Sequence, residues 1–141
     1  MKHKKLLWGL FLLYLAVLLR ITVFRSSFSI DHLFVNGEFN LVPFVSLLRV
    51  GSLWKFVYLF VGNLIWFMPF GILLSHLTKI RRYKMILYGF FLSLLIETMQ
   101  FVFGTGVSEL DDVILNTLGV YLGTNSYRIS KNIFPFLQHR P

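Results

Sequence analysis

Five side chains able to do chemistry lie within twenty residues of one another: Glu97, Gln100, Asp111, Asp112 and Asn116. Glu97 and Gln100 interrupt the otherwise apolar stretch "MILYGFFLSLLIETMQFVF", and a spacing of three puts both on one face of a helix. Two carboxylates brought together can divide general acid and general base work, provided their environments keep one protonated and the other ionised. Glu97, Asp111 and Asp112 are therefore the candidate catalytic groups. The usual companions of such chemistry are missing: the chain has no HExxH, no GxSxG and no cysteine. His3, His32, His76 and His139 are scattered, and only His32 falls in a segment that could join the acids. The carboxylate spacing matches no defined cation-binding loop, so neither a metal nor a cofactor is expected.

The elements that must hold these groups are membrane helices. Hydrophobic residues make up 56% of the chain and charged residues only 14%, against roughly 25% charged in a soluble domain. Four apolar runs occupy residues 6–24, 53–77, 85–103 and 110–127. A span needs about 20 residues, so three qualify comfortably and the fourth is marginal. The expected architecture is all-α, a single polytopic membrane domain over residues 1–141 with about four transmembrane helices. "NLVPF" resembles a helix start, with Asn40 as N-cap and Pro43 in the first turn, and predicts a short interfacial or re-entrant helix over 41–50.

The net charge of +8 would indicate nucleic acid in a soluble protein. Here the basic residues flank apolar runs, so no nucleic-acid partner is expected and the charge reports topology. "MKHKK", "TKIRRYK" and the group Arg128, Lys131 and Arg140 share one side if both termini are cytoplasmic. "GTGVSELDD" and residues 25–52 then face outward, and Arg25, Arg49 and Lys55 lie there as a minority. The first run is too long for a cleaved leader and reads as an uncleaved anchor.

At a rise of 1.5 Å per residue, Glu97 lies about 18 Å across its span and Arg20 about 21 Å across the first. Asn63 lies about 15 Å below the outer end of the second. Asp111, Asp112 and Asn116 enter from outside. An intramembrane carboxylate faces the bundle interior and needs a partner, so Glu97 is expected to pair with Arg20 or to be protonated. The bland alternative is that Glu97 and Gln100 only hold helices together by polar contacts. Pro69 and Gly71 in "MPFG" allow a bend whose freed carbonyl another helix must satisfy. Asp112, Asn116, Gly119 and Gly123 recur on one helix face, and Gly119 with Gly123 forms a GxxxG pair that admits a close neighbour.

The stretch "SLLIETMQFVFGTGVSELDDVILNTLGVYLG" resembles the VanZ-like family of small bacterial membrane proteins. The resemblance rests on Glu97 with Gln100, a short outer link, Asp111 with Asp112, and an Asn-Thr-x-Gly helix start at Asn116, Thr117 and Gly119. Upstream, "NLVPF" and "NLIWFMPFG" are similar to two further recurring elements, so the likeness runs from about Asn40 to Gly123. Many relatives carry an arginine before the acidic pair, where this chain has Gly106; Arg20, Arg25 or Arg49 would have to replace it. The resemblance implies an accessory role in resistance to glycopeptides, chiefly lipid-tailed teicoplanin, in the cell membrane.

Three functions are compatible with these residues. A binding or shielding protein would hold an amphiphile, such as a teicoplanin-like lipoglycopeptide or a lipid-linked cell-wall precursor, in an outward polar pocket. Its ligand-binding candidates are Glu97, Gln100, Asp111, Asp112, Asn116, Asn63, Asn40, Arg20 and Arg49. An intramembrane enzyme would use Glu97 with Asp111 or Asp112 on an envelope lipid. A transporter component would use the intramembrane carboxylate as a proton relay, and four spans would then call for an oligomer.

Overall fold

A computed structural model describes residues 2–24, 28–29, 31, 33, 37–44, 48–49 and 51–133. Helix α1 (Lys2–Thr22) leads to a short strand β1 (Glu38–Asn40), followed by α2 (Leu53–Leu77), α3 (Arg82–Phe103), strand β2 (Val107–Glu109) and α4 (Leu110–Ile133). The second run is matched residue for residue; the first helix starts four residues earlier than its run and ends two short of it, and the third and fourth extend by a few residues into their polar flanks. Helices α1, α2 and α3 are long and apolar enough to cross a membrane, whereas α4 falls short of that hydropathy. The reason is visible in its sequence: Asp111, Asn116 and Thr124 occupy buried positions and Asp112 a half-buried one.

Helix α4 is the centre of the bundle, with its most extensive contact against α2 and a second against α3. Glycines make that closeness possible. A Cβ on Gly119 would stand 2.5 Å from the Leu64 carbonyl oxygen, and one on Gly123 would stand 2.1 Å from that of Met68. Gly71 returns the contact from α2, 2.3 Å from the Val120 carbonyl oxygen by the same measure. The GxxxG expectation is met, and its partner is α2.

Pro69 lies inside α2, which remains helical from Leu53 to Leu77. Proline has no N–H to give the Ile65 carbonyl and crowds the turn before it. The Tyr14 hydroxyl of α1 enters at this turn and donates to the Trp66 carbonyl at 2.8 Å, with the Phe70 N–H facing the Tyr14 oxygen. Phe11, Leu18, Phe67, Phe70, Leu74, Met85, Ile96 and Val120 form the buried apolar core. The opposite face of α1, including Leu6, Leu12, Leu13 and Val17, is exposed, as a helix bordered by acyl chains requires.

The links between α1 and α2 and between α3 and α4 contain a feature absent from an all-helical expectation. Strand β1 pairs in parallel with β2, with Glu38 opposite Val107, Phe39 opposite Ser108 and Asn40 opposite Glu109. Gly37 admits this docking, since a Cβ there would lie 2.3 Å from the Phe101 carbonyl oxygen. The helix expected over 41–50 is corrected at its start. Phe44 has φ +61°, a left-handed conformation that interrupts a right-handed helix, although Asn40 Oδ1 does accept the Val42 N–H at 3.1 Å as an N-cap would. Leu48 N–H donates to the Phe44 carbonyl at 2.9 Å, and residues 45–47 and 50 lie outside the described residues.

Candidate functional site

Glu97 is buried on α3, and the four-residue step back to Ser93 and three-residue step forward to Gln100 place all three on one buried face. Helix α3 ends just beyond them in a left-handed glycine, Gly104, with φ +58°. Gly104 N–H donates to the Phe101 carbonyl and Thr105 N–H to the Gln100 carbonyl, the paired arrangement of a Schellman cap. This sharp stop folds the following link back over the helix end. Glu109 N–H on β2 consequently donates to Glu97 Oε2 at 2.9 Å, and the Ser108 side chain bonds to the same carboxyl.

That geometry corrects the expected pairing of Glu97 with Arg20. The Arg20 guanidinium is exposed and donates instead to the Phe24 carbonyl, four residues on, at the C-terminal end of α1. A basic side chain satisfying a terminal carbonyl is a favourable arrangement in the field of the helix dipole. Gln100 is also buried and donates through Nε2 to the Thr22 carbonyl at 3.3 Å, tying α3 to the end of α1.

The acidic pair opens α4, where the N-terminal dipole favours negative side chains. Its two members turn to different partners. Asp112 Oδ1 accepts from Asn63 Nδ2 at 2.6 Å, linking α4 to α2. Asp111 Oδ1 accepts the Phe44 N–H at 2.6 Å, and its other oxygen is buried without a hydrogen-bond partner. Further into the bundle, Asn116 Nδ2 donates to Ser93 Oγ at 2.8 Å, while Asn116 Oδ1 is left without a partner. The Asn-Thr-x-Gly element therefore lies inside α4 and not at its start, which is Leu110.

These contacts surround a cavity of about 440 Å³ to which all four helices contribute. Thr22, Asn63, Glu97, Gln100, Asp112 and Asn116 supply its polar lining, and Ile21, Tyr58, Leu59, Trp66, Phe67 and Ile96 its apolar lining. Of the expected ligand-binding residues, Glu97, Gln100, Asp112, Asn116 and Asn63 converge here. Asp111, Asn40, Arg20 and Arg49 do not line the cavity: Asp111 is committed to the Phe44 backbone, Asn40 to the β1 end, Arg20 to Phe24, and Arg49 is exposed. Ser93 and Tyr58 were missed as contributors. Ser93 could have been found from its four-residue spacing to Glu97, whereas Tyr58 has no such signal.

The chemistry available is that of a carboxylate pair flanked by three carboxamides beside an apolar wall. Glu97 and Asp112 are close enough to act on each other electrostatically. His32 and Arg25 lie outside the described residues, so their expected roles have no structural counterpart here. Among the described residues, no group of three or more His, Asp or Glu side chains gathers as a metal site would require.

The VanZ/LLP1 family pattern matches residues 11–131, a stretch that contains every cavity-lining residue. Protein VanZ of Enterococcus faecium is 33% identical over 125 residues, an alignment taking in 86% of this chain and 73% of that protein. No solved structure matches the chain. With the family pattern running from the first helix to the last, and three helices of membrane-spanning length and hydropathy, the chain is a membrane protein and belongs to the VanZ/LLP1 family.

Proposed function

We propose that this protein contributes accessory resistance to teicoplanin-type glycopeptides by holding or shielding one end of a lipid-linked amphiphile in the four-helix cavity. The observation that carries this reading is the cavity's two-sided lining. Amides and carboxylates can bind a hydroxyl- or amide-rich head, and Trp66, Phe67, Tyr58 and Leu59 can receive the adjoining hydrocarbon. A volume of about 440 Å³ suits a drug-sized fragment, so it accommodates one end of a lipoglycopeptide or of a lipid-linked wall precursor and not the whole molecule. The charge distribution supports a cell-membrane location with both termini cytoplasmic, which turns the Glu97 end of the bundle outward.

Trp66 in the lining supplies the test. In a Trp8→Phe, Trp54→Phe background, Trp66 is the remaining tryptophan. Titrating teicoplanin into nanodiscs holding this protein should change Trp66 emission with saturation, and vancomycin, which lacks the lipid tail, should change it far less. Equal responses to the two drugs, or none to either, would remove the amphiphile from the cavity.

A second reading has one specific observation in its favour: Glu97 and Asp112 share the cavity, so a carboxylate pair for acid and base catalysis on an envelope lipid is present. In that case Glu97→Gln abolishes turnover of the lipid while leaving the Trp66 response intact. Under the binding reading the same variant weakens the Trp66 response itself.

A further inference from the structure

A second cavity, of about 510 Å³, lies at the opposite end of the α2–α4 pair. It is lined by Ser75, His76, Thr78 and Lys79 around the end of α2, and by Tyr127, Arg128, Lys131 and Asn132 on the last turns of α4. From Asn116 to Arg128 the separation along α4 is about 18 Å, so the two cavities are distinct. The chain's six acidic residues are Asp31, Glu38, Glu97, Glu109, Asp111 and Asp112, and none lines this second cavity. No aspartate or glutamate occurs after Asp112, nor between Glu38 and Glu97. Lys79 and Arg128 therefore line a concave space to which no aspartate or glutamate side chain contributes.

Contacts within the lining hold its walls in place. Thr78 Oγ1 donates to the Leu74 carbonyl and thereby closes the C-terminal turn of α2. The His76 ring packs edge-on against Tyr127 at 5.5 Å, joining the two helices that form the walls. The position along the chain is equally telling. Lys79 follows directly on the last turn of a membrane-spanning helix, and Ile129 and Ile133 present exposed apolar surface beside Arg128 and Lys131. A basic recess at the end of membrane helices, with hydrocarbon-facing side chains next to it, matches the phosphate and acyl chains of an anionic lipid.

We infer that this cavity binds the phosphate of an anionic phospholipid headgroup, with Lys79 and Arg128 as its principal cationic contacts. The site is independent of the function proposed for the Glu97 cavity. The shared chemistry with a free phosphate ion is separated by experiment.

The full chain would be reconstituted in nanodiscs of equal parts phosphatidylglycerol and phosphatidylcholine, released into detergent, and weighed by native mass spectrometry. Retained phosphatidylglycerol should exceed retained phosphatidylcholine at least fivefold, and millimolar inorganic phosphate should leave that ratio unchanged. The double variant Lys79→Gln with Arg128→Gln should lose the preference. Arg81→Gln with Lys84→Gln removes the same charge from exposed positions outside the cavity and should keep it. Lys79→Arg with Arg128→Lys retains both charges and should also keep it, which separates loss of the site from loss of fold. Equal loss in the two glutamine pairs would overturn the site in favour of diffuse surface charge. Displacement by inorganic phosphate would overturn the lipid assignment.

Discussion

A carboxylate inside a span is tolerated when donors reach it, and Glu97 receives its donor from the backbone of its own following link. The inward face of Glu97 and its convergence with Gln100, Asp112, Asn116 and Asn63 were legible from residue spacing. Its partner was not, because the choice depends on a left-handed turn at Gly104 that returns the Glu109 N–H twelve residues later. Arg20 lies at a comparable depth by residue count, yet depth says nothing about the direction of a side chain around its helix. Tyr14 makes the same point, since nothing in the first run announces that its hydroxyl reaches the Trp66 carbonyl in the turn before Pro69. Tyr14→Phe should lower stability by about 0.5–1.5 kcal/mol, measured by thermal unfolding in detergent, because the Trp66 carbonyl loses a donor beside a turn that already lacks one. Ser93→Ala should cost about 0.6–1.7 kcal/mol by removing the acceptor of the Asn116 amide, a typical range for a hydrogen bond between membrane helices.

Helices were the readable elements because their apolar runs are long and their ends are charged. The strand pair was not readable, since three residues on each side carry no alternating pattern and the pairing joins segments about seventy residues apart. Yet that pair is what delivers Glu109 to Glu97 and Phe44 to Asp111, so a small extended ribbon closes one end of the cavity's surroundings. Packing of α2 on α4 depends on glycine in a way the GxxxG spacing did reveal. Gly119→Ala and Gly123→Ala should each destabilise by about 1–3 kcal/mol, because the added methyl must push apart two backbones already in contact. Gly9→Ala, with nothing within 4 Å of the new methyl, should be neutral or slightly stabilising. Comparable gains at all three positions in the same unfolding assay would show that helix propensity, and not close approach, sets the effect.

At the scale of the whole molecule, charge is sorted along the bundle: all six acids lie in the stretches 31–38 and 97–112, whereas "TKIRRYK", Arg128 and Lys131 lie at the other end. This asymmetry was visible in sequence, and it underlies both the proposed orientation and the separation of a carboxylate-lined cavity from a basic one. The absence of cysteine makes the orientation directly measurable. Gly106→Cys should be labelled by a membrane-impermeant thiol reagent in intact cells, while Arg81→Cys should be labelled only after the membrane is opened. The measurement that most directly tests the account is glycopeptide susceptibility in one host expressing the intact chain, Glu97→Ala or an empty vector, with membrane levels of the two proteins matched. The account predicts raised tolerance of teicoplanin but not of vancomycin with the intact chain, and its loss in Glu97→Ala. Equal susceptibility of the intact chain and the empty vector, or unchanged protection in the variant, would contradict it.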